Sequence, residues 1–69
     1  MLNKLTEREV QVLKLLMLGY SNTQIASILN ITLHTVKAHI QAILYKFKVK
    51  NRVQAAVIAA QSKDKFLNP

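Results

Sequence analysis

Apolar residues recur along this 69-residue chain in four groups with helical spacing. Ile25, Ala26 and Leu29 form one stripe, and the longer stripe that follows consists of Val36, Ile40, Ile43, Leu44 and Phe47. Because residues three or four apart share one face of an α-helix, each stripe predicts a helix with one buried side. With the capping signals below, the pattern predicts helices over residues 7–18, 22–29, 33–47 and 52–61.

Polar residues that favour helix N-caps stand just before the four apolar groups, and they are Thr6, Ser21, Thr32 and Asn51. Thr6 and Ser21 are each followed three residues later by Glu or Gln, which is the spacing of a capping box. Gly19 and Asn30 suit the left-handed residue that ends a helix. These signals predict where the helices begin and end.

The second and third helices are separated only by the turn Asn30-Ile31-Thr32. The small residue Ala26 would let the third helix cross the second at close range. This geometry is that of a helix-turn-helix, which presents its second helix to the DNA major groove. The sequence predicts an all-α fold, a compact four-helix domain containing a helix-turn-helix. We expect one domain over residues 1–69, with a recognisable core over 5–61 and a polar tail over 62–69.

The fourth helix is apolar almost all round. One side, sufficient to dock it on the domain, consists of Val53, Ala56, Val57 and Ala60. The other side, which would then need a second partner, consists of Ala55, Ile58 and Ala59. A homodimer in which two copies of this C-terminal helix pack across a two-fold axis is one interpretation. The alternative is an Ala-rich helix partly covered by Phe66 and Leu67 of the tail.

The chain is strongly basic, with ten Lys and Arg residues, three Asp and Glu residues and a formal net charge of +7. No acidic residue lies between Val10 and Lys63, so the middle of the chain suits a polyanion. The alternative is a basic surface that serves solubility. The chain lacks cysteine, a membrane-length apolar run and a signal-peptide pattern, so we expect a cytoplasmic, nucleoid-associated protein.

The outward side of the third helix is predicted to be a strip of His34, Lys37, Ala38, Gln41, Tyr45 and Lys48. Lys37 suits guanine O6 and N7, Gln41 suits adenine N6 and N7, and Ala38 suits a thymine methyl group. We therefore predict base reading by Lys37, Ala38, Gln41 and His34. The alternative is an ordinary solvated helix face.

Phosphate contacts are predicted at the helix N-termini and at the rim of this face. Thr23, Thr32 and Thr35 stand where free backbone N–H groups and hydroxyls favour an anion. The cations expected to neutralise flanking phosphates are Lys46, Lys50 and Arg52. Engagement of about four to six phosphates would give log affinity a slope of roughly −4 to −5 against log salt per monomer.

Metal binding and catalysis find no support in the residue pattern. His34 and His39 are five residues apart, about 140° around a helix axis, so they do not share a face. The three carboxylates form no acid/base pair, and nothing resembles a nucleophile with its base. We expect no enzyme, metal, cofactor or small-molecule ligand in this domain.

The chain resembles a LuxR-type (GerE/NarL/FixJ-like) DNA-binding domain of bacterial transcriptional regulators. The matching segments are LTEREVQVL at 5–13, Gly19, SNTQIASILNIT at 21–32, TVKAHI at 35–40 and KFKVKNRVQAAV at 46–57. The resemblance implies a four-helix fold, major-groove reading by the third helix and dimerisation through the fourth. It also implies either a short stand-alone GerE-like regulator or the effector domain of a response regulator, which usually follows a receiver or sensing domain.

Carried over to this sequence, the family's base-reading positions fall on Lys37, Ala38 and Gln41. Its phosphate-facing positions fall on Thr23, Thr32, Thr35, Lys46 and Arg52. Several relatives have Lys or Arg where Gln41 stands, which implies a shift in base preference toward adenine. Leu33 and His34 occupy positions that are commonly small or polar in the family.

Besides a pure protein-interaction module, which the acid-free middle of the chain disfavours, two other functions remain as alternatives. A sigma-factor region-four-like promoter-binding domain shares a similar pattern, although it would end soon after the recognition helix. A cationic helical membrane-active protein fits the net charge and apolar content. The capping signals argue against it, because they indicate a compact fold with a helix-turn-helix. The expected partners are double-stranded operator or promoter DNA and a second copy of the chain, with RNA polymerase as a further candidate and no membrane.

Overall fold

The computed structural model describes residues 5–61. Its four helices are α1 (Glu7–Met17), α2 (Asn22–Leu29), α3 (Leu33–Phe47) and α4 (Arg52–Gln61), and this part of the chain contains no strand. The predicted all-α, four-helix fold is confirmed, and α1 ends one residue earlier than predicted. The polar tail over 62–69, with Phe66 and Leu67, lies outside the described residues.

The capping boxes of α1 and α2 are confirmed. The Thr6 hydroxyl accepts the Glu9 N–H at 3.1 Å, and Glu9 Oε1 accepts the Thr6 N–H at 2.9 Å. Ser21 and Gln24 repeat both bonds at 3.1 and 2.9 Å. Each box satisfies two backbone donors that would otherwise have no partner within the helix.

The caps of α3 and α4 are also present, with one difference. Thr32 Oγ1 accepts the Thr35 N–H at 3.1 Å, as predicted. Asn51 Oδ1 accepts the Gln54 N–H at 2.9 Å, but the Gln54 side chain accepts the N–H of Lys50 at 2.8 Å rather than that of Asn51.

Left-handed residues end or follow three of the helices. Gly19 (φ 91°) and Asn30 (φ 56°) were both predicted in this role. Lys48, which ends α3, has φ 58° and ψ 44°, and the sequence pattern did not predict this conformation. Its N–H donates to the Tyr45 carbonyl at 3.1 Å, and the Val49 N–H donates to the Leu44 carbonyl at 3.1 Å.

The hydrophobic core is built around α1 and α3, which contact each other and both of the other helices. The buried apolar residues are Val12, Leu13, Leu16, Ile25, Val36, Ile40, Ile43, Phe47, Ala55 and Ala59. In α1 the core side consists of Val12, Leu13 and Leu16, whereas Val10 and Met17 are only half-buried. None of the helices within residues 5–61 is long and apolar enough to cross a bilayer.

The prediction for the two sides of α4 is wrong, because the structure reverses them. Ala55 and Ala59 are fully buried, and Ile58 packs against the core, so Ala55 and Ala59 cannot face a second copy. Val53 and Val57 are instead 68% and 49% exposed. The physical reason is that α4 contacts both α1 and α3, where alanines fit a close approach and branched valines would not.

Candidate nucleic-acid interface

The corner between α2 and α3 is fixed by backbone geometry and by the core beneath it. Asn30 adopts the left-handed conformation, and the Ile31 N–H donates to the Ala26 carbonyl at 3.0 Å. Ile25 on α2 and Val36 on α3 are fully buried on the inner side of the corner. The second helix of the corner is therefore held against the domain by one face only, which leaves its other face in solvent.

The outward face of α3 carries the predicted strip. All six members are exposed, and Tyr45 is the most exposed aromatic residue within residues 5–61, at 80%. The exposed members are His34, Lys37, Ala38, Gln41, Tyr45 and Lys48. The structure thus brings the four predicted base-reading residues to one exposed face of one rigid helix, while their contact with bases stays a prediction.

The predicted phosphate-binding threonines stand at the starts of α2 and α3. Thr23 is exposed in the first turn of α2, and Thr32 is exposed at the N-cap of α3. The Thr32 and Thr35 hydroxyls are 2.9 Å apart and share a hydrogen bond, although Thr35 is half-buried. Their positions are preorganised by these bonds, and the N-terminal dipole of α3 favours an anion in this place.

Lys46 is engaged inside the molecule. Its Nζ donates to Glu9 Oε1 at 2.7 Å, with side chains 23% and 7% exposed respectively. The bond joins the last turn of α3 to the first turn of α1 across 37 positions of sequence. From the sequence, Lys46 was predicted to contact phosphate and Glu9 to cap α1. This pair was not predicted, because no local signal connects residues so far apart.

The pKa of Glu9 reflects this arrangement. Burial is the largest single influence and raises the pKa of the carboxyl group, since it penalises the charged form. The hydrogen bonds from Lys46 and from the Thr6 backbone lower the pKa, and Coulombic interactions with Lys46 and His39 lower it further. Together they outweigh burial, so the pKa of Glu9 lies below its ordinary value and the carboxylate stays charged at neutral pH.

Arg52, a second predicted phosphate ligand, also has partners within the domain. Its guanidinium donates to Asn22 Oδ1 and, at 3.0 Å, to the Tyr20 carbonyl. These bonds tie the start of α4 to the start of α2. Lys50, two residues before Arg52, is exposed. Within residues 5–61 it makes a hydrogen bond through its backbone N–H and none through its side chain.

The electrostatics of the α3 face follow from these pairings. Glu7 and Glu9 are the acidic residues within 5–61, both on α1, and Glu9 is neutralised by Lys46. The exposed strip of α3 therefore carries lysines and no carboxylate, which gives it an attractive potential for a polyanion. No group of three or more metal-ligating side chains occurs in the described part of the chain.

Comparison with known proteins agrees with this geometry. The family described as "Bacterial regulatory proteins, luxR family" matches residues 3–59. The chain is 51% identical over 57 residues to proteins named "Response regulator protein VraR" from Staphylococcus aureus, Staphylococcus saprophyticus and Staphylococcus epidermidis. The match covers 83% of this chain and 27% of each relative, so the chain spans about a quarter of their length. The helix-turn-helix, the exposed face of α3 and the match through all four helices show that this chain belongs to the LuxR family of bacterial regulatory proteins.

Proposed function

We propose that this chain is a sequence-specific double-stranded DNA-binding domain that regulates transcription. The observation that carries the proposal is the exposed, carboxylate-free face of α3, presented by a helix-turn-helix corner. A face of this kind fits the major groove, which admits one α-helix. Membership of the LuxR family supports the same function, and we propose no catalytic activity.

The base-reading residues have distinct roles in this proposal. Lys37 donates to guanine O6 and N7, and Gln41 forms a bidentate pair with adenine. Ala38 lies between them in sequence and is small enough for close approach and for contact with a thymine methyl group. His34, one helical turn before Ala38, contacts the bases where the N-terminal end of α3 enters the groove.

Backbone phosphates are held mainly at the helix N-termini and by an exposed lysine. Thr23, Thr32 and Thr35 supply hydroxyls and helix N-termini, and Lys50 supplies an exposed cation. We assign a positioning role to Lys46 and Arg52, since both already hold neighbouring helices together. Any phosphate contact they make would compete with those intramolecular bonds.

The second part of the proposal is a homodimer that forms through α4, on the side of the helix that carries Val53 and Val57. Val53 and Val57 are exposed and line two neighbouring shallow depressions. The first also contains Val49 and Ile58, and the second contains Leu16 and Ala56. A second copy is the occupant we propose, because an apolar helix face repeated across a two-fold axis is self-complementary.

The regulatory context is inferred from the relatives. They are named response regulators, and the chain corresponds to about a quarter of their length. We propose that this domain acts as the effector domain of a response regulator or as a stand-alone GerE-like regulator. In either setting it would act on the cytoplasmic nucleoid, with RNA polymerase as a further partner.

The two alternatives from the sequence are less well supported. The family match extends to residue 59 and so includes α4, which favours a LuxR-type regulator over a sigma-factor region four. A membrane-active protein would need a broad apolar helix face to insert in the bilayer. The main apolar faces of α1, α2 and α3 are instead committed to a shared core.

Separate substitutions Lys37→Ala and Gln41→Ala test the reading face. Each variant should keep the fold, because both side chains are exposed, and should lose discrimination between a preferred duplex and one altered at a single base pair. The ratio of the two affinities should fall by roughly 5- to 150-fold at the matching base pair, since each base contact is worth about 1–3 kcal/mol. Fluorescence anisotropy measures the ratio, and circular dichroism verifies the fold.

Lys14→Ala provides the matched control, because Lys14 is an exposed lysine on α1. It should leave the ratio unchanged. Identical ratios in wild type, Lys37→Ala and Gln41→Ala would contradict the assignment of α3 as the reading helix.

A further inference from the structure

Lys48 holds a backbone conformation that lysine rarely adopts. With φ 58° and ψ 44° it lies in the left-handed region, where a Cβ atom crowds the neighbouring carbonyl oxygen. The same region is occupied by Asn30 at the end of α2, but asparagine tolerates it well because its short side chain bonds locally. Glycine would be the ordinary choice for Lys48's position.

The fold itself does not require a lysine there. The cap is closed by backbone bonds from the N–H of Lys48 to the Leu44 and Tyr45 carbonyls, and any residue other than proline can make them. The side chain is exposed, and its ammonium group has no hydrogen-bond or ion-pair partner among residues 5–61. A strained position that keeps a charged, unengaged side chain points to a function outside the fold.

The position of Lys48 indicates what that function is. Lys48 follows Gln41 by seven residues, so its backbone lies about 10 Å farther along the axis of α3, at the C-terminal end of the helix. The major groove is about 12 Å wide, so a helix with Gln41 at the base edges reaches the sugar-phosphate backbone near Lys48. Lys50 is also exposed and lies two residues after Lys48, in the α3–α4 connection.

We propose that Lys48 is a phosphate-binding residue of the DNA interface and that the domain gives up folding stability to place its charge there. This inference rests on the proposed DNA-binding function and deepens it. It reassigns the phosphate contact at the C-terminal end of α3 from Lys46, which is paired with Glu9, to Lys48. A substitution of Lys48 that increases folding stability should therefore decrease affinity for DNA.

Three substitutions separate the strain from the charge. Lys48→Gly removes both, so it should raise the midpoint of thermal unfolding by roughly 2–6 °C and weaken binding to DNA. Lys48→Gln removes only the charge, so it should weaken binding to the same degree with little change in the midpoint. Lys48→Arg keeps both and should resemble the wild type.

The DNA probe is a fluorescent 30-base-pair duplex of arbitrary sequence, because phosphate contacts carry no sequence information. In the Gly and Gln variants we expect a roughly 3- to 10-fold loss of affinity at low salt and a salt slope shallower by about 0.9. Lys14→Gln is the matched control, since it removes an exposed lysine from α1 and should change the slope less.

Several outcomes would overturn the inference. If Lys48→Gly raised the midpoint but left the affinity and the salt slope unchanged, Lys48 would be only a tolerated helix cap. If Lys48→Gly lowered the midpoint, the side chain would have a structural role and the trade-off would not exist. Failure of the wild type to bind any duplex would refute the proposed function as well, whereas wild-type binding with unaffected Lys48 variants would refute this inference alone.

Discussion

Glu9 is the residue on which two distant parts of the domain depend. One carboxylate accepts the backbone N–H of Thr6 at the start of α1 and the ammonium of Lys46 at the end of α3. Removal of its charge would leave the partly buried Lys46 ammonium without a counter-ion. An unpaired charge of this kind lowers the free energy of unfolding. The orientation of α3 relative to α1 therefore depends in part on one ionised side chain.

Glu9→Gln tests this dependence, because glutamine keeps the shape and the acceptor but lacks the charge. At pH 7 the free energy of unfolding should fall by about 1 kcal/mol. Since the pKa of Glu9 is lowered in the folded state, its charge stabilises the fold above the unfolded pKa, and that stabilisation is lost as pH falls through the folded pKa. The difference between wild type and variant should therefore shrink as the pH falls below the ordinary glutamate pKa of 4.5.

Urea unfolding at pH 7 and at low pH measures this difference. Glu7→Gln is the control, because Glu7 is an exposed glutamate in the same helical turn. If Glu9→Gln and Glu7→Gln lost the same stability at every pH, the Glu9–Lys46 pair would contribute nothing to the fold.

The sequence predicted hydrogen bonds between residues that are close in sequence better than those between distant residues. The caps at Thr6, Ser21 and Thr32 were predictable because their partners lie three residues away. The partners of Lys46 and Arg52 lie 37 and 30–32 positions away and are brought near only by helix packing. Their assignment to phosphate alone was therefore incomplete.

At the scale of elements, α4 shows the limit of periodicity. Its alanines and its valines both recur at helical spacing, so the pattern allowed either side to face the core. The prediction placed Val53, Ala56, Val57 and Ala60 inward, but close packing against α1 and α3 selects Ala55 and Ala59. By contrast, α3 has one apolar stripe and one polar strip, and its orientation was predicted correctly.

The corrected orientation of α4 leads to a test of the dimer. The double substitution Val53→Ser/Val57→Ser removes apolar surface from the exposed side, so it should weaken self-association at least 10-fold without unfolding the domain. Sedimentation equilibrium over a range of concentrations measures the association constant. Unchanged self-association in this variant, or none in the wild type, would contradict a dimer through α4.

Ala55→Leu serves as the comparison on the opposite side of the same helix. Because Ala55 is fully buried, the larger side chain should lower the free energy of unfolding by about 1–3 kcal/mol. A stable, well-folded Ala55→Leu variant with impaired self-association would instead restore the original interpretation of the two sides.

At the scale of the whole molecule, charge and shape act together. The carboxylates in the described residues lie on α1, and the exposed lysines of α3 and of the α3–α4 connection meet solvent without acidic neighbours. Net charge was readable from composition, but the number of free cations was not, because pairing within the fold engages Lys46 and Arg52. If Lys37, Lys48 and Lys50 are the cations engaged, the slope of log affinity against log salt should be about −3 per monomer rather than −4 to −5.

The most direct test of the central claim is selection of bound duplexes from a random DNA pool by the wild-type chain, followed by titration of the enriched duplex at two salt concentrations. We expect a two-fold-symmetric motif with half-sites about 10 base pairs apart, and affinity that falls as salt rises. Salt-sensitive binding without enrichment of any sequence would contradict base reading by α3.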